Sequence, residues 1–249
     1  MKLDRRFVEK PWGRTRLPPM IDTPAGKRIG EVWFTGGGDL PLLAKYIFTG
    51  ERLSIQVHPN DEQARARGLE RGKTECWYVL DAEPDASIGL GLTGDVSPEE
   101  LRSAALDGSI ERMIDWRQVR AGDFYLVPPG TIHAIGGGLS LFEFQQNSDV
   151  TYRLYDYGRP RELHVDEAVA VARPAPYPDD FARHPGADED CILVDGPHFK
   201  LVHTHEDVLQ DRQRWVLPLE GRDFGECLLL EPGETLEADG ARMLIGAMA

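Results

Sequence analysis

The chain has 249 residues, 41% of them hydrophobic, enough for one large domain or two modest ones around a substantial core. A formal charge of −14 with no basic run argues against nucleic acid or an anionic membrane surface as partner, so an anionic substrate must be met by a local cationic pocket. The opening stretch MKLDRRFVEKPWGRTRLPPM has no apolar stretch after its basic residues, and no run approaches the ~20 apolar residues of a membrane span, so a cytoplasmic protein is expected. Cys76, Cys191 and Cys227 are too few and too scattered for a disulfide framework or a thiolate zinc site, and are expected as reduced packing residues.

Along the chain, short strand-like runs alternate with Gly, Pro and Asp turns. GEVWFTG (30–36), LLAKYIFTG (42–50), LSIQVH (53–58), TECWYVLD (74–81) and SIGLGL (87–92) come first. SPEELRSAAL (97–106) breaks the series as a helix, with Ser97 as N-cap, Pro98 at the first helical position and Glu100 in the capping-box place. DFYLVP (123–128), LSLFEFQQ (139–146) and TYRLYDY (151–157) resume the strands, and a second helix is expected from His164 to Ala172. RPAPYPDDFARHPGADED (173–190) packs four prolines and five acids into eighteen residues and reads as a linker or surface loop. CILVDG, FKLVHTHE, RQRWVLPLE, ECLLLEPGETLEAD and ARMLIGAMA are strand-rich again, with a tight turn over EPGETLEADG. An echo of AGDFYLVPPGTIHAI in LLLEPGETLEADGARMLI suggests a second, reduced β-unit. The expectation is an all-β dominated sandwich or barrel over residues 1–175, with a small helical insert near 97–116. A linker and a smaller, degenerate β-unit fill 176–249.

The polar residues carry the chemistry. LSIQVHPND (53–61) puts Ser54, Gln56 and His58 on one strand face and Leu53, Ile55 and Val57 on the other. GKTECWYVL brings Lys73 and Glu75 to one face, and VPPGTIHAIGGG delivers His133 after a Pro-Pro-Gly turn. An amide, two imidazoles and a carboxylate form a mixed N/O set that suits Zn²⁺ or another borderline divalent ion with room for water or substrate. Each residue alone has a plainer reading. His58 is then a satisfied histidine, Glu75 a solvated carboxylate and Lys45 an edge lysine, while Arg153 and Arg159 pair on the surface with Asp149, Asp156 or Glu162.

Together the segments EKPWG (9–13), IGEVW (29–33), PLLAKYI (41–47), LSIQVHPND, GKTECWYVLD (72–81), PPGTIHAIGGG (128–138), SDVTYRLYDYGR (148–159) and RELH (161–164) resemble the class I mannose-6-phosphate isomerases, or phosphomannose isomerases, of the short bacterial form. The resemblance covers most of residues 7 to 170 in order. It implies a cupin jelly-roll barrel and metal-dependent interconversion of mannose 6-phosphate and fructose 6-phosphate through a cis-enediolate. It also implies Gln56, His58, Glu75 and His133 as ligands of one zinc or other divalent ion per chain, and Arg153 as the catalytic arginine. Lys45, Ser54 and Arg159 become phosphate contacts by the same match, and Lys73 and Glu143 candidate proton carriers. Glu143 has an alternative role in orienting a ligand histidine, and Trp12 is expected in the core rather than at the pocket mouth. His203 and His205 lie outside the match and stay unassigned. Two other readings remain: a metal-binding cupin of another enzyme class, and a non-catalytic sugar-phosphate-binding module.

Overall fold

In the computed structural model the described residues are 1–236 and 240–249, so the last part of the turn expected over 231–240 lies outside them. Strands β1 (Asp4–Arg14), β2 (Ile29–Thr35) and β3 (Leu42–Thr49) form an antiparallel meander. β4 (Ile55–Val57), helix α1 (Asp61–Arg65), β5 (Glu75–Ala82) and β6 (Ser87–Leu92) follow. The expected insert is α2 (Pro98–Asp107) and α3 (Ile110–Met113). Ser97 and Glu100 exchange the two hydrogen bonds of a capping box, and Gly108 ends α2 in the left-handed region. Next come β7 (Ile114–Gln118), β8 (Phe124–Val127), β9 (His133–Ile135), β10 (Leu139–Gln146), β11 (Tyr152–Tyr155) and α4 (Val165–Val171). β12 (Ala182–Arg183), β13 (Cys191–Asp195), β14 (Phe199–Thr204), β15 (Arg214–Pro218), β16 (Leu228–Leu230) and β17 (Met243–Met248) finish the order.

Three sheets result. The first runs β1-β2-β3-β10-β5-β8-β12, the second β11-β4-β9-β6-β7 and the third β13-β14-β17-β15-β16. The architecture is the expected jelly roll, built as facing sheets rather than as one continuous ladder closed on itself. The proline-rich stretch, expected as a linker or surface loop, is a surface loop docked onto the sheets. The carbonyls of Pro174 and Ala175 accept from Val96 and Leu92, the Tyr177 hydroxyl donates to the Leu126 carbonyl, and β12 joins the first sheet through β8. Proline removes a donor from a segment but leaves its carbonyls free to accept, which composition alone conceals.

Side-chain alternation on the central strands makes two cores. Ala44, Tyr46, Phe142 and Phe144 face the third sheet and pack with Phe199, Trp215 and Leu244. Ile47, Trp77, Val79 and Leu141 face the second sheet and pack with Ile88, Leu90 and Ile135. With both faces covered, β3 and β10 are buried at every position. At the third sheet an added Cβ on Gly246 would lie 2.5 Å from the Phe144 ring, so glycine is what lets β17 approach so closely. The outer face of the second sheet, with Ile55, Val57 and Leu154, lies beneath Leu101 and Ala105 of α2 and Ala168 and Val171 of α4. The pattern in LSIQVH holds for Ile55 and Val57, which pack under the helices while Gln56 between them turns into the sandwich; Leu53, expected with the aliphatics, precedes β4 and instead lines the cleft within the inner core. Cys76 and Cys227 are buried, Cys191 is half-buried, and all three are free thiols. Among the described residues no helix is long and apolar enough to cross a membrane.

Candidate metal centre

Two rows of residues face each other across the sandwich. On the second sheet, strand register aligns Arg153 with Gln56 and Gln56 with His133. On the first, it aligns Trp33, Lys45, Glu143 and Trp77. Glu75 starts β5 two residues before Trp77, on the same face.

The loops that carry the polar motifs are pinned to one another. Asn60 caps α1 in a capping box with Gln63, and the next carboxylate, Asp61, accepts from the Gly72 N–H at 2.8 Å and from Gln146 Nε2 at 3.0 Å. The Lys73 N–H donates to the Pro59 carbonyl at 3.0 Å. A Cβ on Gly72 would come within 2.4 Å of the Asn60 carbonyl carbon, so glycine there lets GKTE lie against HPND and brings Lys73 and Glu75 to His58. Gly130 plays the matching part for His133. It sits at φ +84° and donates its N–H to the His58 carbonyl at 2.9 Å.

Backbone carbonyls orient both imidazoles. His58 Nδ1 meets the Val150 carbonyl at 2.7 Å and His133 Nδ1 meets the Thr131 carbonyl at 2.9 Å. Each Nδ1 therefore carries the proton, and each Nε2 is an acceptor aimed inward. Those two Nε2 atoms each lie 3.4 Å from a Glu75 oxygen, and one donor atom from each of the three residues falls within 4.8 Å of the others. Gln56 adjoins them, its Nε2 at 3.2 Å from His133 Nε2, while its Oε1 accepts from Ser54 Oγ at 3.0 Å. Lys73 Nζ reaches Glu75 Oε2 at 2.5 Å and His58 Nε2 at 3.3 Å. Its approach to Glu75 lies outside hydrogen-bonding angles, and both Glu75 oxygens are buried with no hydrogen-bond partner among the described residues.

Burial, followed by the nearby Lys73 charge, brings His58 down to about 3, and burial also lowers His133, so both rings are neutral and able to ligate. Burial alone would raise the Glu75 carboxyl, but the Lys73 ammonium holds it well below the usual carboxylate range. Glu143 is pushed up by burial and by the Glu75 charge. It contacts Lys45 at 2.8 Å and Lys73 at 3.4 Å and accepts from Trp77 Nε1 at 3.1 Å. Lys45 is thus a buried partner in the middle of the sheet and not an edge lysine.

A cleft opens onto this cluster, and Lys45, Ser54, Gln56, Lys73, Glu75, Glu143 and Arg153 all line it. Its wall carries five cationic residues against four acidic ones, a local excess of positive charge on a chain of net charge −14. Trp12 lines it while remaining core, at 2% exposure. Lys10, Glu31, Trp33 and Arg161 also line it, and sequence reasoning missed them as site residues. The available signal was the spacing of Lys10 with Trp12 in EKPWG and of Glu31 with Trp33 in IGEVW, two apart on one strand face. Glu31 accepts from Trp33 Nε1 at 2.6 Å and contacts Lys10 Nζ at 3.2 Å. Burial works against its charge, yet Lys45 and Lys10 bring it down to about 2. Arg159, expected as a phosphate contact, is not part of the cleft wall. His203 stacks on Tyr78 and contacts the Glu189 carbonyl, and His205 pairs with Asp190. Among the described residues neither belongs to a metal-binding group.

No family model matches the chain. A mannose-6-phosphate isomerase of Bacillus subtilis is 36% identical over 229 aligned positions, covering 76% of this chain and 72% of that protein. The mannose-6-phosphate isomerase of Streptococcus mutans is 40% identical over 168 positions, covering 64% of this chain and 52% of that protein, so the match spans about half of its length. The crystal structure of a mannose 6-phosphate isomerase from Bacillus subtilis aligns with a TM-score of 0.79 at 27% identity, covering 99% of this chain and 98% of that one.

Proposed function

Because the chain belongs to the mannose-6-phosphate isomerase family, we propose that it interconverts mannose 6-phosphate and fructose 6-phosphate in the cleft beside His58, Glu75 and His133. One observation carries the assignment of the centre. Three buried donors converge within 4.8 Å, and both oxygens of the carboxylate have no hydrogen bond. Lys73 Nζ, 2.5 Å from Glu75 Oε2, offsets part of that charge, but two imidazole Nε2 acceptors turned toward a carboxylate still make a donor set that a divalent ion satisfies, and an N/O set without thiolate suits zinc or a similar ion. His58, Glu75, His133 and the adjoining Gln56 would hold it.

When bound, the ion supplies Lewis-acid stabilisation of the negative charge that develops on the two adjacent oxygens of the enediolate. The chain's own groups do the rest. Isomerisation takes a proton from C2 of the aldose and returns one at C1, while a hydroxyl proton moves between O2 and O1, so no atom is gained or lost. Lys73 and Glu143, 3.4 Å apart on the cleft floor, are the proposed proton carriers. Arg153, opposite them in register with Gln56, adds a positive charge beside the developing oxyanions. Lys45 and Ser54 line the same cleft and are proposed donors to the anionic end of the substrate. Every one of these residues belongs to 1–175, which is therefore the proposed catalytic unit. Three free thiols fit a reducing cytoplasm.

The test is an isomerase assay on protein stripped with a chelator and then reloaded. Turnover is expected to disappear on stripping and to return with Zn²⁺. Undiminished turnover in the stripped protein rejects the metal-dependent reading, and substrate binding without turnover in the loaded protein favours a sugar-phosphate-binding module.

A further inference from the structure

The loop between β11 and α4 holds two arginines, and they point to different jobs. Arg159 is tied inward. Its Nη2 donates to the Arg52 carbonyl, its Nε donates to the Asp156 carbonyl at 3.4 Å and lies 3.4 Å from the Asp156 carboxylate, and its guanidinium lies over the Tyr157 ring at 5.5 Å; its Nη1 is buried without a partner among the described residues, but the residue does not line the cleft. Arg161 lines the cleft with its side chain 24% exposed. Behind it, the Asp156 carboxylate, only 1% exposed, accepts from Arg161 Nε at 2.6 Å and from Nη2 at 2.7 Å. This fork uses two of the five N–H donors of a guanidinium. Among the described residues the other three have no hydrogen-bond acceptor. Arg153, on the same wall, also has a buried Nε without a partner. The two guanidiniums are close enough that burial and the Arg161 charge together lower Arg153 from its ordinary value. Two neighbouring cations with spare donors, one held rigid from behind by a buried carboxylate, form a pre-organised seat for a dianion.

We propose that Arg161, held by Asp156, donates to the phosphate of the substrate in the field of the neighbouring Arg153, whose own donors face the oxyanions, and that Arg159 is a positioning residue that fixes the loop. Arg161 is thereby a substrate-binding residue. The inference deepens the isomerase reading and rests on it for the identity of the sugar phosphate, but the phosphate seat can be measured on its own.

The experiment compares Arg161→Gln, Arg161→Lys and Arg159→Gln in metal-loaded protein. Isomerase kinetics are measured with mannose 6-phosphate, and binding of inorganic phosphate by calorimetry. Loss of one charge-assisted donor pair raises KM by roughly ten- to a hundredfold in Arg161→Gln and weakens phosphate binding in parallel, with kcat nearly unchanged. Arg161→Lys keeps the charge without the fork and recovers part of both. Arg159→Gln lowers the melting temperature and leaves KM within about twofold. Because Arg161→Gln takes the bidentate partner from the buried Asp156 and leaves it only the 3.4 Å contact with Arg159 Nε, the double variant Asp156→Asn/Arg161→Gln serves as a folded control and keeps the raised KM. The proposal is overturned if Arg159→Gln carries the KM and phosphate effects, or if the Arg161 variants lower kcat while phosphate binds as before. If the wild type binds phosphate through Arg161 but does not isomerise mannose 6-phosphate, the isomerase reading fails and this one stands. If the wild type binds no phosphate, this one fails.

Discussion

On one side of the seven-stranded sheet, Phe144 lies 5.2 Å from Phe199 and 5.9 Å from Trp215 in an aromatic layer. On the other side, one residue away, Glu143 pairs with Lys45 and Lys73 at the floor of the cleft. The same backbone serves both, because successive side chains of a strand point to opposite faces. The two sides differ in what burial contributes. Packing the rings stabilises the sheet directly, whereas the buried charges are costly to desolvate and only partly recover that through pairing. The third sheet thus supplies stability to strands whose front faces line the cleft.

Four experiments would break or sharpen that contrast. The largest effect is expected at the front. His58→Ala or His133→Ala should lower metal affinity by more than about 100-fold and abolish turnover while circular dichroism stays β-rich, since loss of a ligand exceeds loss of its outer partner. Metal content equal to wild type in either variant removes that residue from the ligand set. Next, Phe144→Ala at the back and Lys45→Ala at the front should each destabilise by about 3–5 kcal/mol in urea titrations, the first by leaving a cavity and the second by taking from the buried Glu143 its nearer lysine partner, leaving only Lys73 at 3.4 Å. Only Lys45→Ala should also raise KM, and equal kinetic effects from both would erase the distinction between the faces. Third, Arg153→Ala should keep its metal and lose roughly 10²–10³-fold in kcat, the loss typical of removing one oxyanion-stabilising donor. Unchanged kcat would place Arg153 outside the reaction.

The smallest effect concerns pH. The Glu31 carboxyl lies at about 2 in the folded chain against an ordinary 4.5. Its contribution to stability is therefore fully present above pH 4.5 and lost as pH falls toward 2. That contribution is on the order of 3 kcal/mol. Unfolding midpoints measured from pH 6 to pH 2.5 should fall less steeply in Glu31→Gln than in wild type. Identical slopes would show that Lys10 and Lys45 do not act on Glu31.

Much of this was legible in the sequence. The capping box of α2, most of the strands, and the alternation of Ser54, Gln56 and His58 all follow from local rules that the structure obeys. What local rules could not supply was partnership across the sandwich. Lys45 looks like an edge lysine until Glu143, almost a hundred positions away, is placed beside it by register. Arg159 and Arg161 cannot be told apart by type, because their directions are set by Tyr157, the Arg52 carbonyl and Asp156. Glu31 and Lys10 draw no reading of their own, and only β1 and β2 turn them onto the cleft. Residues 173–190 read as a linker or surface loop, and their docking was hidden because the groups that bond to them, Leu92, Val96 and β8, lie elsewhere in the chain.

Gly246 ties the two faces together mechanically. A methyl group there would displace the Phe144 ring, and the peptide unit attached to Phe144 carries Glu143 on its other side. Residues of the third sheet, which lie across the backbone from the cleft, are thereby constrained in size by the placement of Glu143, a proposed proton carrier, on the far side. Directed evolution of activity has a productive target in the aromatic layer, where single-carbon changes would retune the reaction from behind.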